Sequence, residues 1–152
     1  MKLIAQILPP ANIAIDVAAD SQRAVFEQAA LLFENNHQLP RAQIVDSLLA
    51  REKLGSTGLG HGIALPHGRI KGLREAVGAF IKLKAPIPFD SPDGQPVGCL
   101  FILLVPAQAT DLHLQILGEL AQVFSSRRLR EDLQKSDDVS RIHQLLTETG
   151  PA

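Results

Sequence analysis

VGCLFILLV, Val97 to Val105, is nine residues of nearly unbroken apolar character. A strand that reads this way lies inside a sheet with both faces covered, and Pro106 closes it. Working toward the N-terminus, Pro86, Pro88, Pro92, Asp93, Gly94 and Pro96 carry turn chemistry and mark a loop. Before that loop the pattern alternates. Ala76 to Lys84 predicts a second strand, with Val77, Ala79, Ile81 and Leu83 on one face and Lys82 and Lys84 on the other. Toward the C-terminus, a helix from about Asp111 to Phe124 carries Leu112, Ile116, Leu120 and Val123 along one stripe. Two shorter helices follow, one around Arg127 to Gln134. The other runs from Asp138 to about Thr147, with Val139, Ile142, Leu145 and Leu146 inward.

The N-terminal half is helical in its pattern. Asp20 and Ser21 can cap a helix in which Phe26, Ala29, Ala30 and Phe33 share a face, and Asn35 and Asn36 end it. Pro40 suits the first turn of a second helix, with Ile44 and Leu48, and Val45 and Leu49, one turn apart. That helix should stop near Lys53, with Gly55 supplying a left-handed C-terminal residue. Helices first, strands in the middle and helices last predict one α/β domain, a sheet covered by helices. We place it over residues 1–152, with its core at about 5–147.

Composition narrows the functional classes. With 152 residues, 45% of them hydrophobic, the chain can bury a core without disulfides or a structural metal. A net charge of -1 gives no field to draw nucleic acid or an acidic membrane. Cys99, the only cysteine, lies inside the apolar run and reads as a buried strand residue. No signal peptide is read in MKLIAQILPPANIAID, and no apolar stretch reaches the roughly 18 residues of a spanning helix. The expectation is a cytoplasmic protein that inserts into no membrane.

Between the second helix and the first strand stands GLGHGIALPHGR, Gly58 to Arg69. Gly62 to Leu65 should be extended, because Pro66 forces Leu65 away from helical geometry. Gly58, Gly60 and Gly62 have Ile63 where a dinucleotide fingerprint needs its third glycine, and the stretch enters a strand instead of leaving one. GxxxxGK[ST] is absent. His61 and His67, if extended, are about 20 Å apart, too far to share a metal ion. His37, His61, His67, His113 and His143 have no ligand spacing, and HExxH and cysteine pairs are absent, so we expect no metal and no cofactor. GxSxG is also missing, and Ser56 and Thr57 read as turn residues.

What remains is an imidazole as the reactive group. Neutral imidazole is a competent nucleophile toward phosphorus. Pro66 fixes the chain before His67, while Gly68 lets a phosphoryl group approach the backbone. Arg69, two residues on, falls on the same side of an extended chain and can donate to phosphoryl oxygens. From the residues alone, a histidine that merely serves the turn remains the competing reading.

GSTGLGHGIALPHGR resembles the phosphorylation-site signature of the fructose/mannitol-type enzyme IIA domains of the bacterial phosphotransferase system. VPAQATDLHLQILGELAQVF is similar to that family's second motif, an HLxxLxxLA helix following the VPA strand end. PIPFDSPDGQPV and the terminal helices also fit, so the likeness spans essentially the whole chain. A free-standing chain with AREKLGSTG most resembles the nitrogen-regulatory branch. The resemblance implies a mixed sheet with helices on both sides. It implies His67 as a tele-phosphohistidine intermediate, charged by the histidine-containing phosphocarrier protein of the nitrogen branch, and His113 as an accessory histidine. Arg51 matches an arginine near that site, and Gly68 and Arg69 complete the phosphate-binding set. Regulatory targets such as sensor kinases or potassium transporters are implied by the same likeness.

Two other readings stay open: a sugar-specific enzyme IIA passing phosphate to a IIB domain, and a non-catalytic binding module. The family often has a polar residue such as asparagine where this chain has His61, whose role is left open. Alone, His113 would read as a core or boundary histidine and Arg51 as a cation at a helix C-terminus. Arg127, Arg128 and Arg130 read as a solvated face, and His37 and His143 as surface residues. Leu59 and Ile63 are expected to ring the site.

Overall fold

The computed structural model describes residues 2–108 and 111–148. In chain order it holds α1 (Lys2–Ile7), a 3-10 turn (Pro10–Asn12), β1 (Ile13–Val17), α2 (Gln22–His37) and α3 (Arg41–Lys53). Then come β2 (Gly58–Gly60), β3 (Ile63–Ala64), β4 (His67–Ile70), β5 (Val77–Ile87) and β6 (Val97–Pro106). The chain finishes with α4 (Asp111–Phe124), α5 (Arg127–Lys135) and α6 (Val139–Glu148).

β6 is the organising strand. It pairs antiparallel with β5 along one edge and parallel with both β3 and β4 along the other. β1 extends the sheet beyond β5, and β2 extends it beyond β3, giving the mixed order β1-β5-β6-β3-β2 with β4 also on β6. Alternation along β6 splits its side chains between two cores. Phe101, Leu103 and Val105 pack under α1, α4, α5 and α6, while Leu100, Ile102 and Leu104 pack under α2 and α3. Each such side chain, fully buried, contributes about 1.5–3 kcal/mol. The expected α/β fold, a mixed sheet with helices on both faces, is what the chain adopts.

Local signals account for two of the helix starts. Ser21 Oγ accepts the Ala24 N–H at 3.1 Å and Ser126 Oγ accepts that of Leu129 at 3.2 Å, so each serine caps its helix. α2 runs past Asn35 and Asn36 to His37, because those ends are held by tertiary bonds. Asn36 Nδ2 donates to Ala11 O and Asn12 Oδ1, each at 3.0 Å. His37 is half-buried and takes a 2.8 Å bond from Asn12 Nδ2, while His143 Nε2 lies 2.9 Å from Leu8 O. Neither is the free surface histidine expected. Pro40 precedes the first turn of α3 instead of lying in it. Leu54 and Gly55 leave α3 through bonds to Arg51 O and Glu52 O, and Gly55 takes φ +152°, positive but outside the left-handed helical region.

β5 also departs from expectation. It continues through Pro86 to Ile87, and the pairing with β6 breaks between Lys82 and Ile87. A proline without an N–H fits within such a break. Lys82 lies on the face opposite Ile81 and Leu83, as expected, but is largely covered. Its side chain is 15% exposed, and its ammonium donates to Gln134 O at 2.7 Å and Ser136 O at 2.8 Å, at the C-terminal end of α5. Cys99 is buried as expected, with its thiol pushed up to about 11 by desolvation. Among the described residues, no helix is long and apolar enough to cross a membrane.

Candidate functional site

β2 and β3 form a hairpin whose two turn residues, His61 and Gly62, have φ of 57° and 81°. Positive φ at both positions matches the twist of the strands, which explains a glycine here. His61 N–H donates to Asp93 Oδ2 at 2.8 Å, tying the hairpin tip to the proline-rich loop. Its imidazole is at an exposed position. From β3, Leu65 and Pro66 carry the chain into β4 along the same edge of β6. Pro66 O accepts the Leu103 N–H at 2.9 Å, and His67 then stands beside Leu103.

His67 is half-buried, with Nδ1 2.9 Å from Leu65 O. A carbonyl oxygen only accepts, so this contact places the ring proton on Nδ1 and leaves the lone pair on Nε2. Burial lowers the imidazole's pKa most, the Leu65 bond raises it in part, and the Arg51 guanidinium lowers it further. The net lowering favours the neutral ring at pH 7.

Arg51 sits in the last turn of α3, and its Nη1 donates to Gly55 O at 2.8 Å. Arg51 is the cation whose field acts on His67. Arg69 lies on the same side of β4 as His67 and is exposed, and its carbonyl takes a 3.0 Å bond from Ser47 Oγ of α3. Gly68 points the other way. A Cβ there would fall 2.4 Å from Ser47 Oγ and 3.2 Å from Ser47 Cβ. The space expected for an approaching phosphoryl group is, on that side, filled by α3, so the missing side chain lets the strand pack on the helix.

His113 lies in the first turn of α4 and is 8% exposed, whereas Leu112, expected in the buried stripe, is 49% exposed. The imidazole thus takes the inward position. It lines a cleft of about 660 Å³ with Gln6, Arg74, Gln108 and Ile116. α4 covers the face of the sheet toward which His67 and Arg69 point, since Gly68 and Ile70 turn toward α3. Ala109 and Thr110 of the motif leading into α4 lie outside the described residues. Of the expected apolar rim, Leu59 is exposed, but Ile63 is 1% exposed and belongs to the core.

Sequence reasoning did not single out Glu52. Its half-buried carboxylate accepts the Thr57 N–H at 3.2 Å and also the Thr57 hydroxyl. Burial pushes its pKa up, while the Thr57 bonds and the Arg51 charge pull it down. The only available signal was an acidic residue next to Arg51, before a loop that must be held to its helix. Among the described residues, no group of three or more His, Cys, Asp and Glu side chains is placed to hold a metal ion.

Comparison with known proteins agrees with the fold and the motifs. The family model for the phosphoenolpyruvate-dependent sugar phosphotransferase system EIIA 2 matches residues 6–149. A nitrogen regulatory protein of Pseudomonas aeruginosa is 38% identical over 144 residues, 94% of either chain. One from Escherichia coli is 37% identical over 134 residues, covering 88% of this chain and 82% of its own. The crystal structure of the nitrogen regulatory protein IIA-Ntr from Neisseria meningitidis superposes with a TM-score of 0.91 at 46% identity. That match covers 96% of this chain and 100% of the other. The chain belongs to the EIIA type 2 family of the phosphotransferase system, and within it these relatives are nitrogen regulatory proteins.

Proposed function

We propose that this protein is a phosphoryl relay of the nitrogen branch, charged on His67 Nε2 by a histidine-containing phosphocarrier in the cytoplasm. The observation that carries the reading is the Nδ1 contact to Leu65 O, with the lowered pKa beside it. Together they favour a neutral ring whose nucleophilic lone pair is on Nε2. In the transfer, that lone pair forms the new N–P bond as the donor's N–P bond breaks. The pair from the broken bond returns to the donor imidazole. Positive charge growing on the His67 ring strengthens its bond to Leu65 O.

Arg51 and Arg69 then supply cations for the phosphoryl oxygens, with Gly68 between Arg69 and the acceptor. His113 assists from the first turn of α4, where an anion is favoured. The phosphorylated and unphosphorylated forms differ in charge by roughly two units, which is the signal that targets such as sensor kinases or potassium transporters would read.

Intact-mass measurement with the phosphocarrier, its kinase and phosphoenolpyruvate tests the reading. The native chain should gain one phosphate, His67→Ala none, and His113→Ala the same mass more slowly. Full labelling of His67→Ala would remove the proposal. Onward transfer to a sugar-specific IIB domain as fast as charging would place the protein in sugar transport instead.

A further inference from the structure

A chain of contacts links the end of α3 to the His67 ring. Glu52 accepts two bonds from Thr57, one from its N–H at 3.2 Å and one from its hydroxyl. Thr57 O accepts the Leu65 N–H at 3.0 Å. Leu65 O faces His67 Nδ1 at 2.9 Å. Thr57 and Leu65 are both buried, and Pro66 leaves little freedom between Leu65 and His67. The carbonyl that selects the tautomer of His67 is therefore held on two sides. β6 holds it through the Pro66–Leu103 bond, and α3 holds it through Glu52.

We propose that Glu52 is a positioning residue for phosphoryl transfer, fixing the Leu65 carbonyl through Thr57 so that Nε2 of His67 keeps its lone pair toward the donor. The proposal rests on His67 being the acceptor. Glu52 itself touches neither the ring nor the phosphoryl group in this scheme. A carboxylate suits the task because one of its oxygens can take both Thr57 donors, and a charged acceptor makes stronger bonds than a neutral one. The neighbouring Arg51 pins the same loop at Gly55, so successive residues of one helical turn hold the approach to the site at two points.

The test reads the ring as well as the rate. In the native protein, ¹⁵N shifts of the His67 imidazole should report a predominantly Nδ1-protonated tautomer at pH 7.5, before any phosphate is added. Glu52→Ala should give a mixture of tautomers and slow phosphoryl uptake about tenfold or more, since a small misplacement of a reacting group is costly in rate. Glu52→Gln keeps an oxygen in the same place and should restore the tautomer and most of the rate. If Glu52→Ala does not fold, Thr57→Val removes the hydroxyl contact in nearly the same shape and should shift the tautomer in the same direction. An unchanged tautomer in a folded Glu52→Ala or Thr57→Val protein overturns the proposal, whatever happens to the rate. A native chain that is never labelled on His67 would sink the relay reading, while the tautomer readout would still judge the positioning contact.

Discussion

His67 Nδ1 and the carbonyl oxygen of Leu65 lie 2.9 Å apart, across the single proline that separates the two residues. The contact and the buried position act on the ring in opposite directions, and burial prevails, so the pKa falls below its ordinary value of 6.5. Only neutral imidazole can attack phosphorus. The acid limb of the uptake rate should therefore have its midpoint below pH 6.5, and the ring should titrate with it by NMR. Arg51→Met removes a cation that helps keep the ring neutral, so its midpoint should rise toward the ordinary value while uptake slows. A midpoint that stays put or falls would show that the Arg51 field does not reach His67.

Gly68→Ala should cost stability before it affects chemistry. The added Cβ meets Ser47 Oγ at 2.4 Å, and relieving that overlap moves β4 off α3. Such overpacking costs about 1–3 kcal/mol. Removing the hydroxyl in Ser47→Ala/Gly68→Ala leaves a 3.2 Å contact to the Ser47 Cβ, which a small shift accommodates. Thermal melts of the two variants should show the double variant more stable than Gly68→Ala alone. The opposite order would mean that the Ser47 bond to Arg69 O, lost in the double variant, is worth more than the relief of the overlap.

Far from the site, His37 should make stability depend on pH. Asn12 Nδ2 donates to Gly78 O at 2.9 Å and to His37 Nε2 at 2.8 Å, and Asn12 Oδ1 accepts from Asn36. The network requires His37 Nε2 to be unprotonated, and burial lowers its pKa from 6.5. As pH falls through 6.5 the unfolded chain takes up a proton that the folded chain resists. Stability is thus full above that range and lost on acidification, with His67 adding a contribution of the same sign. His37→Gln keeps an acceptor that does not titrate, and chemical denaturation between pH 5 and 8 should give it a flatter profile than the native chain. Asn12→Ala strands a buried carbonyl and should cost about 1–3 kcal/mol at any pH in that range.

The legible parts of the sequence were those with local signals. β6 and α4 read almost to the residue, because an unbroken apolar run and a 3.6-residue stripe each have one solution. α1, β1, β2 and β4 were not assigned. β1 earns its place by parallel pairing with β5, and β2 and β4 are three- and four-residue segments rich in glycine, whose strand character comes from their neighbours. The site is legible less directly. The glycines and proline around His67 stand out as unusual backbone chemistry, whereas Arg51 is singled out only by the family resemblance; its charge acts on the His67 ring. Glu52 does not stand out, because a carboxylate that accepts a backbone N–H has no characteristic spacing, and Asp93 reads only as a turn residue, not as the anchor of the His61 N–H. The inward turn of His113 in place of Leu112 likewise depends on how α4 enters its groove, a tertiary matter.

The surface of α4 beside the site offers the last prediction. Leu112 is 49% exposed and Leu114 69%, on either side of the buried His113, and Leu59 is exposed on the β2 hairpin. Apolar side chains of this kind suit a transient interface, and a donor that charges His67 must approach His67 itself. Phosphorylation brings roughly two negative charges to this region without adding a cation. A partner that docks on the unmodified face must then desolvate an extra dianion, which costs affinity unless the partner supplies arginine or lysine opposite it. A regulatory target captured by the unmodified protein should bind the phosphorylated form at least tenfold more weakly and should compete with the phosphocarrier. Leu114→Glu should weaken both contacts while leaving the fold intact, since that side chain is in solvent. His67→Glu adds one charge without phosphate geometry and should reproduce only part of the loss. Calorimetric titration of the target against each form decides the matter, and equal affinities for the phosphorylated and unmodified proteins would leave a carrier with no switch.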